Sequence, residues 1–206
     1  MRPAIDFAKY FIQSGNDDNT LDGNMKLQKL LTFANLISYT KTGAPLFVEP
    51  MRAYERGCVV GDVRYRYRHD HANLIKLSKE FNPNFNENEY DALQTTLSLF
   101  GHLSARELSE IQHQFDFWKI ANKRPSQEIV KADIEPELWR IRSVLDAHEQ
   151  SKKQCLNFEQ INEITYYYEP GFQFTDEIVQ WLCEFSKTAD ETSYTIYYDD
   201  GELVIY

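Results

Sequence analysis

The sequence predicts a mainly α protein, α+β overall: a compact helical domain over residues 1–150 carrying a small acidic helix-plus-β-hairpin extension over residues 155–206. Three observations support this. Apolar residues recur at helical spacing through most of residues 4–149. The C-terminal stretch ends in two strand-forming runs, 194–198 and 202–206, around Asp199-Asp200-Gly201, a hairpin signal. Charge also divides along the chain. The formal net charge is −10, yet residues 1–154 hold 21 Lys+Arg against 21 Asp+Glu. Residues 155–206 hold Lys187 against 11 acids. The excess is therefore local, which favours two modules, the second expected to pack on the first.

The elements follow in order. Residues 4–14 place Ala4, Phe7, Ala8, Phe11 and Ile12 on one helical side, and Gly15 ends the run. Residues 25–42 form a stronger helix. Its stripe is Leu27, Leu30, Leu31, Ala34 and Ile37, with Asn24 as N-cap and Gly43 and Pro45 after it. Residues 46–56 read as a loop with a short extended piece at 51–54. Residues 59–77 alternate like a strand at Arg64–Arg68, but Val60, Val63 and Tyr67 fit one helical face, and helix is preferred. Residues 87–100 form a helix with Tyr90, Leu93, Leu97 and Phe100 inward. Ser104 and Glu107 spell a capping box for the next helix, which should bury Leu108, Ile111 and Phe115. Pro136 opens a helix to about residue 149 with the stripe Leu138, Ile141, Val144 and Leu145. In the acidic part, residues 164–168 are rich in strand formers. Thr175 caps a helix whose Ile178, Trp181, Leu182 and Phe185 repeat at helical spacing, with Asp176 and Glu177 facing its dipole.

Composition excludes several classes. Hydrophobic residues make up 42% and aromatics 14%, enough to bury a core. No apolar run reaches the roughly 20 residues that span a bilayer. The N-terminus lacks a signal-peptide layout, and three cysteines argue against a disulfide framework, so cytoplasm is the expected compartment. Net acidity disfavours a general nucleic-acid binder.

Catalytic and metal motifs are missing or incomplete. Neither the dinucleotide-binding nor the P-loop glycine pattern occurs, and neither does a nucleophile elbow or a zincin helix. Asp18, Thr20, Asp22 and Gly23 imitate a calcium loop, but its twelfth position is Lys29 rather than Glu. His69-Asp70-His71 chelates poorly on a helix and has no third ligand nearby. His113 is better read as half-buried and bonded to backbone than as a base, and Glu107 with Glu110 as a solvated face. Arg52, Arg56, Arg64, Arg66 and Arg68 interleave with Tyr54, Tyr65 and Tyr67, a pattern able to hold single-stranded nucleic acid. Interspersed Glu55, Asp62 and Asp70, with the neutral balance of residues 1–154, favour surface arginines that pair with local acids or dock the acidic part. The acidic part combines 11 acids with 12 aromatics, a folded piece with a negative, Tyr-bearing surface suited to a basic protein partner.

At Asn24-Met25-Lys26-Leu27-Gln28-Lys29-Leu30-Leu31-Thr32-Phe33-Ala34 the sequence resembles the Panacea domain, the SocA-like antitoxin family also found in phage and mobile-element proteins. The resemblance continues through Thr42-Gly43-Ala44-Pro45-Leu46-Phe47, Arg52 to Val60, and Leu103 to His113, followed by Trp118. The family usually has proline at the position of Cys58, threonine at that of Gln112 and proline at that of Phe117. The similarity covers about residues 4–122. It implies a helical, non-enzymatic protein that binds and neutralises a cognate toxin, with a protease as a second partner in an adaptor role; the missing motifs lead to the expectation of no cofactor and no metal.

Leu27, Leu30, Leu31 and Phe33 are expected in the core. Lys26, Lys29, Tyr54 and Arg56 are the surface candidates for partner contact, joined by Tyr167, Glu169, Tyr198, Asp199 and Asp200 in the acidic part. Two alternatives stand beside this reading. One is a phage counter-defence protein whose acidic surface occupies a nucleic-acid-binding site. The other is a nucleic-acid binder acting through Arg52–Arg68.

Overall fold

A computed structural model describes residues 2–16, 25–154, 156–199 and 202–205. The calcium-like loop, Asn24 and Cys155 lie outside the described residues. The fold is mainly helical and α+β. The chain divides into two compact units, 1–144 and 145–206.

In the first unit α1 (Ala4–Gln13) packs on α2 (Met25–Thr42), the central helix. Around α2 lie the hairpin β1 (Met51–Tyr54) and β2 (Gly57–Val60), α5 (Glu87–Phe100) and α6 (Ala105–His113). Between hairpin and α5 come α3 (Gly61–His69) and α4 (His71–Lys79), which pack on α1. The helix preferred over strand for 59–77 thus forms, with Val63 and Tyr67 buried, but it is preceded by β2 and broken at Asp70. After α6 come α7 (Asp116–Asn122), α8 (Lys131–Ile134), a 3-10 turn (Glu135–Glu137) and α9 (Leu138–Gln154).

The apolar stripe of α2 predicts a one-sided helix. Instead Leu27 to Ile37 is buried on every side, polar residues included. A helix enclosed all round must satisfy its polar groups internally. Asn35 Oδ1 accepts from Leu46 N at 2.8 Å, and the Ser38 hydroxyl donates to Ala44 O at 3.0 Å. Thr32 and Thr40 donate to carbonyls one turn back, at 2.9 and 2.8 Å. Asn35 and Ser38 tie the following loop to the helix. Gly43, at φ +75°, closes it by donating to Tyr39 O.

Three helix faces differ from the expected stripes; in α6, Leu108 is buried but Ile111 is only half-buried. In α5, Tyr90 is exposed and Leu97 half-buried, while Ala92, Leu93, Thr96 and Phe100 face inward. The Asn86–Glu89 capping box sets the helix start one turn before that stripe. In α9, Val144 is exposed while Ile141 and Leu145 are buried. The Ser104–Glu107 capping box of α6 forms as read from the sequence.

The second unit takes in the end of α9 from Leu145 and, among its described residues, a four-stranded sheet in the order β3-β4-β5-β6 and one further helix. Its elements are β3 (Asn157–Ile161), β4 (Ile164–Tyr168), α10 (Asp176–Phe185), β5 (Ser193–Asp199) and β6 (Glu202–Ile205). The β5–β6 hairpin pairs antiparallel, but β4 and β5 pair parallel with α10 between them. β3 and β4 are joined by Asn162-Glu163, both at positive φ, the geometry of a type I′ turn. Ile164, Tyr166, Ile178, Leu182 and Ile196 form the core. The Thr175 hydroxyl caps α10, accepting from Ile178 N at 3.3 Å. Trp181, expected in the stripe, is exposed and stacks on Phe185 at 5.8 Å.

Candidate functional site

The β1–β2 hairpin closes over α2, and the residues that hold it are polar. Its turn, Glu55-Arg56, leads into Gly57 at φ +103°. A side chain there would be strained, and a Cβ would collide with Lys29 Nζ and lie 2.8 Å from Gln112 Oε1. The missing side chain lets Lys29 pass beneath the turn. Lys29 is 1% exposed, and its ammonium donates to Arg56 O and to Cys58 O. Burial pulls its pKa down from 10.5 to about 8.

This corrects one sequence expectation. Lys29 is not a surface residue. Lys26 and Tyr54 are half-buried, and Arg56 is exposed. Lys29 points into the fold because α2 is enclosed, and the hairpin carbonyls supply acceptors. Leu27, Leu30, Leu31 and Phe33 are fully buried, as expected.

Two glutamines complete the clasp. Gln28 Oε1 accepts from Val60 N at 2.7 Å. Gln112, fully buried on α6, accepts from Cys58 N at 3.1 Å and donates to Lys29 O at 3.4 Å. Cys58 brings an N–H that proline would lack, and Gln112 has the reach to satisfy it. Ser109 Oγ also donates to Arg56 O at 2.9 Å. Trp118 Nε1 donates to Tyr54 O at 3.0 Å and Asn122 to Ala53 O at 2.9 Å. Sequence reasoning does not single out Gln28 and Gln112 as site residues. The signal for them is two amides aligned with a glycine-led hairpin.

Next to this clasp lies a pocket of about 200 Å³ lined by Met25, Gln28, Lys29, Tyr54, Glu55, Arg56, Val59 and Arg64. The Arg64 guanidinium sits 5.6 Å over the Tyr54 ring. The arginine-rich segment is therefore spread over β1, the hairpin turn and α3. Arg66 shares a shallow surface with Asp62, Tyr65 and Asp70, the acids interspersed in the sequence.

His69 and His71 separate onto different helices, packing on Tyr65 at 4.5 Å and Tyr67 at 4.6 Å. Among the described residues, no group of three or more His, Cys, Asp or Glu is placed to hold a metal. His113 stacks on Trp118 at 4.0 Å, half-buried as expected. Its Nε2 is buried without a hydrogen-bond partner rather than bonded to backbone. Burial, with the Lys29 charge, holds its pKa down. Glu107 serves the α6 cap, and Glu110 pairs with Arg106 at 2.9 Å.

In the second unit the strand alternation sorts the aromatics. Tyr166, Tyr194 and Ile196 face α10. Phe158 and Tyr167 pair across β3 and β4 on the other face, exposed, with Tyr197 also exposed. Tyr198 is 52% exposed and stacks on Phe172 at 5.3 Å, and Glu169 is exposed. Asp200 lies outside the described residues, and of Asp199 only the backbone is described. Glu159, Glu163, Asp176, Glu177, Glu184, Asp190, Glu191 and Glu202 are exposed. Among the described residues, no helix is long and apolar enough to cross a membrane.

The first unit is thus a helical scaffold that holds a β-hairpin over a buried lysine and presents a charged rim. Residues 27–119, from the first turns of α2 into α7, match the family described as antitoxin SocA-like, Panacea domain. The match spans a little under half of the 206-residue chain and leaves the acidic unit outside it. No curated protein and no solved structure matches the chain.

Proposed function

We propose that this protein is a non-enzymatic, antitoxin-like binding protein that neutralises a cognate toxin in the cytoplasm. The observation that carries the reading is the antitoxin SocA-like, Panacea match over residues 27–119, the segment that builds α2, the hairpin clasp and α6. In this reading the helical unit is the scaffold, with Lys26, Tyr54 and Arg56 on its partner-facing rim. The second unit contacts a basic region of the toxin through Tyr167, Tyr198 and its acids. Support comes from the exposed aromatics of its sheet and the exposed carboxylates of the same unit. Large amphipathic side chains anchor interfaces, and complementary charge speeds encounter and excludes wrong partners. A protease-adaptor role would add a second partner to the same complex.

The test is co-expression of the full chain with the product of the adjacent reading frame. Growth rescue and a co-eluting complex are expected. A variant with Glu159, Glu163 and Glu169 changed to Gln should form that complex more slowly at low salt. Rescue without a complex, or no rescue, overturns the reading.

A further inference from the structure

We propose that the pocket beside the hairpin clasp is a carboxylate-binding site, with Gln28 and Lys29 as its donors and Arg64 on its rim. The inference concerns a ligand site and does not depend on what the protein neutralises. Gln28 is 2% exposed and lines the pocket. Its Oε1 is committed to Val60 N, but its Nε2 is buried with no hydrogen-bond partner. Nearly all buried polar atoms in folded proteins are paired, and leaving such a donor unpaired is costly. A ligand acceptor resolves this once a small shift of the pocket wall opens the amide to it. Lys29 adds to it: an ammonium has three N–H donors, and two go to Arg56 O and Cys58 O. One remains beside the same space.

The lining selects the ligand. Lys29, Arg56 and Arg64 against Glu55 leave an excess of two positive charges. Met25 and Val59 supply apolar wall, which suits the methylene stem of a short aliphatic acid. A planar carboxylate has two acceptor oxygens, one for the Gln28 amide and one for the Lys29 ammonium. Glu55 at the same pocket opposes a dianion more than a monoanion. The carboxylate can come from a free small acid or from a glutamate side chain on a bound protein.

The experiment titrates the full-length protein and follows the Gln28 side-chain amide by nitrogen–proton NMR. The probes are butyrate, N-acetyl-glutamate methylamide and inorganic phosphate. Saturable movement of that amide with either acid, stronger than with phosphate, is expected. Butyrate alone would identify a free acid, and the capped glutamate alone a protein side chain; both outcomes support the site. Gln28→Glu keeps the acceptor for Val60 N–H and puts a negative charge where the free donor stands. It should fold and bind the acid at least about tenfold more weakly. Arg64→Gln, which leaves the clasp intact, should weaken binding about threefold. No movement with any acid, preference for phosphate, or unchanged binding by both variants overturns the proposal.

Discussion

Lys29→Met tests the clasp where its energetics are most unusual. The buried ammonium has its pKa lowered from 10.5 to about 8, chiefly by desolvation. Between those values the unfolded chain keeps a proton on this amine that the folded chain has released. Folding therefore strengthens as pH rises through that window, and the full penalty is present below pH 8. The shift corresponds to about 3 kcal/mol. Methionine removes the penalty but also removes the donor to Arg56 O and Cys58 O, a loss of about 1–3 kcal/mol. Near neutral pH the two effects nearly cancel, so the variant should be close to wild type. By about pH 9.5 the wild type should have gained about 2 kcal/mol on the variant. Cys58 acts in the opposite direction, because burial pushes its thiol up to about 12 while the unfolded thiol titrates near 9. Both proteins carry Cys58, so its contribution largely cancels in the difference. Urea unfolding of both proteins across this range is the assay. A stability gap that does not change with pH refutes the buried, desolvated ammonium.

Other perturbations test neighbouring parts. Gly57→Ala adds a Cβ at φ +103° against Lys29 and Gln112, and should cost more than about 2 kcal/mol in the same unfolding assay. Gln112→Ala leaves the buried Cys58 N–H without its acceptor, for a loss of about 2–3 kcal/mol and a faster-exchanging Cys58 amide. Asp133 takes both Arg124 donors at 2.5 Å and Val130 N at 3.0 Å, which holds its carboxyl below the usual range. That stability is present above the ordinary carboxylate pKa and lost as pH falls through the lowered one. Asp133→Asn should flatten the acid limb of the stability curve.

Much of the helical unit was legible because periodicity and caps report local physics. The stripe of α1 and the Ser104 box form, and the apolar positions read for α2 are buried, though its other sides are buried too. The failures are tertiary. Lys29 looks like a surface residue in any helical pattern, and only the glycine turn that passes over it makes a buried ammonium tenable. Tyr90 sits at helical spacing but falls just off the buried face. β3 escaped because Asn157–Ile161 alternates weakly and its Asn162-Glu163 turn lacks the glycine that signals such hairpins. The parallel β4–β5 pair depends on α10 folding between the strands, a long-range relation that no local pattern carries. The charge division was visible from composition, and the exposed positions of the described acids agree with it.

The most direct test of the toxin-binding reading is growth of cells co-expressing the full chain and the product of its neighbouring reading frame, with the two proteins then run together by size exclusion. Rescued growth and one stable complex containing both are expected. Persistent toxicity with the two proteins eluting apart would contradict it.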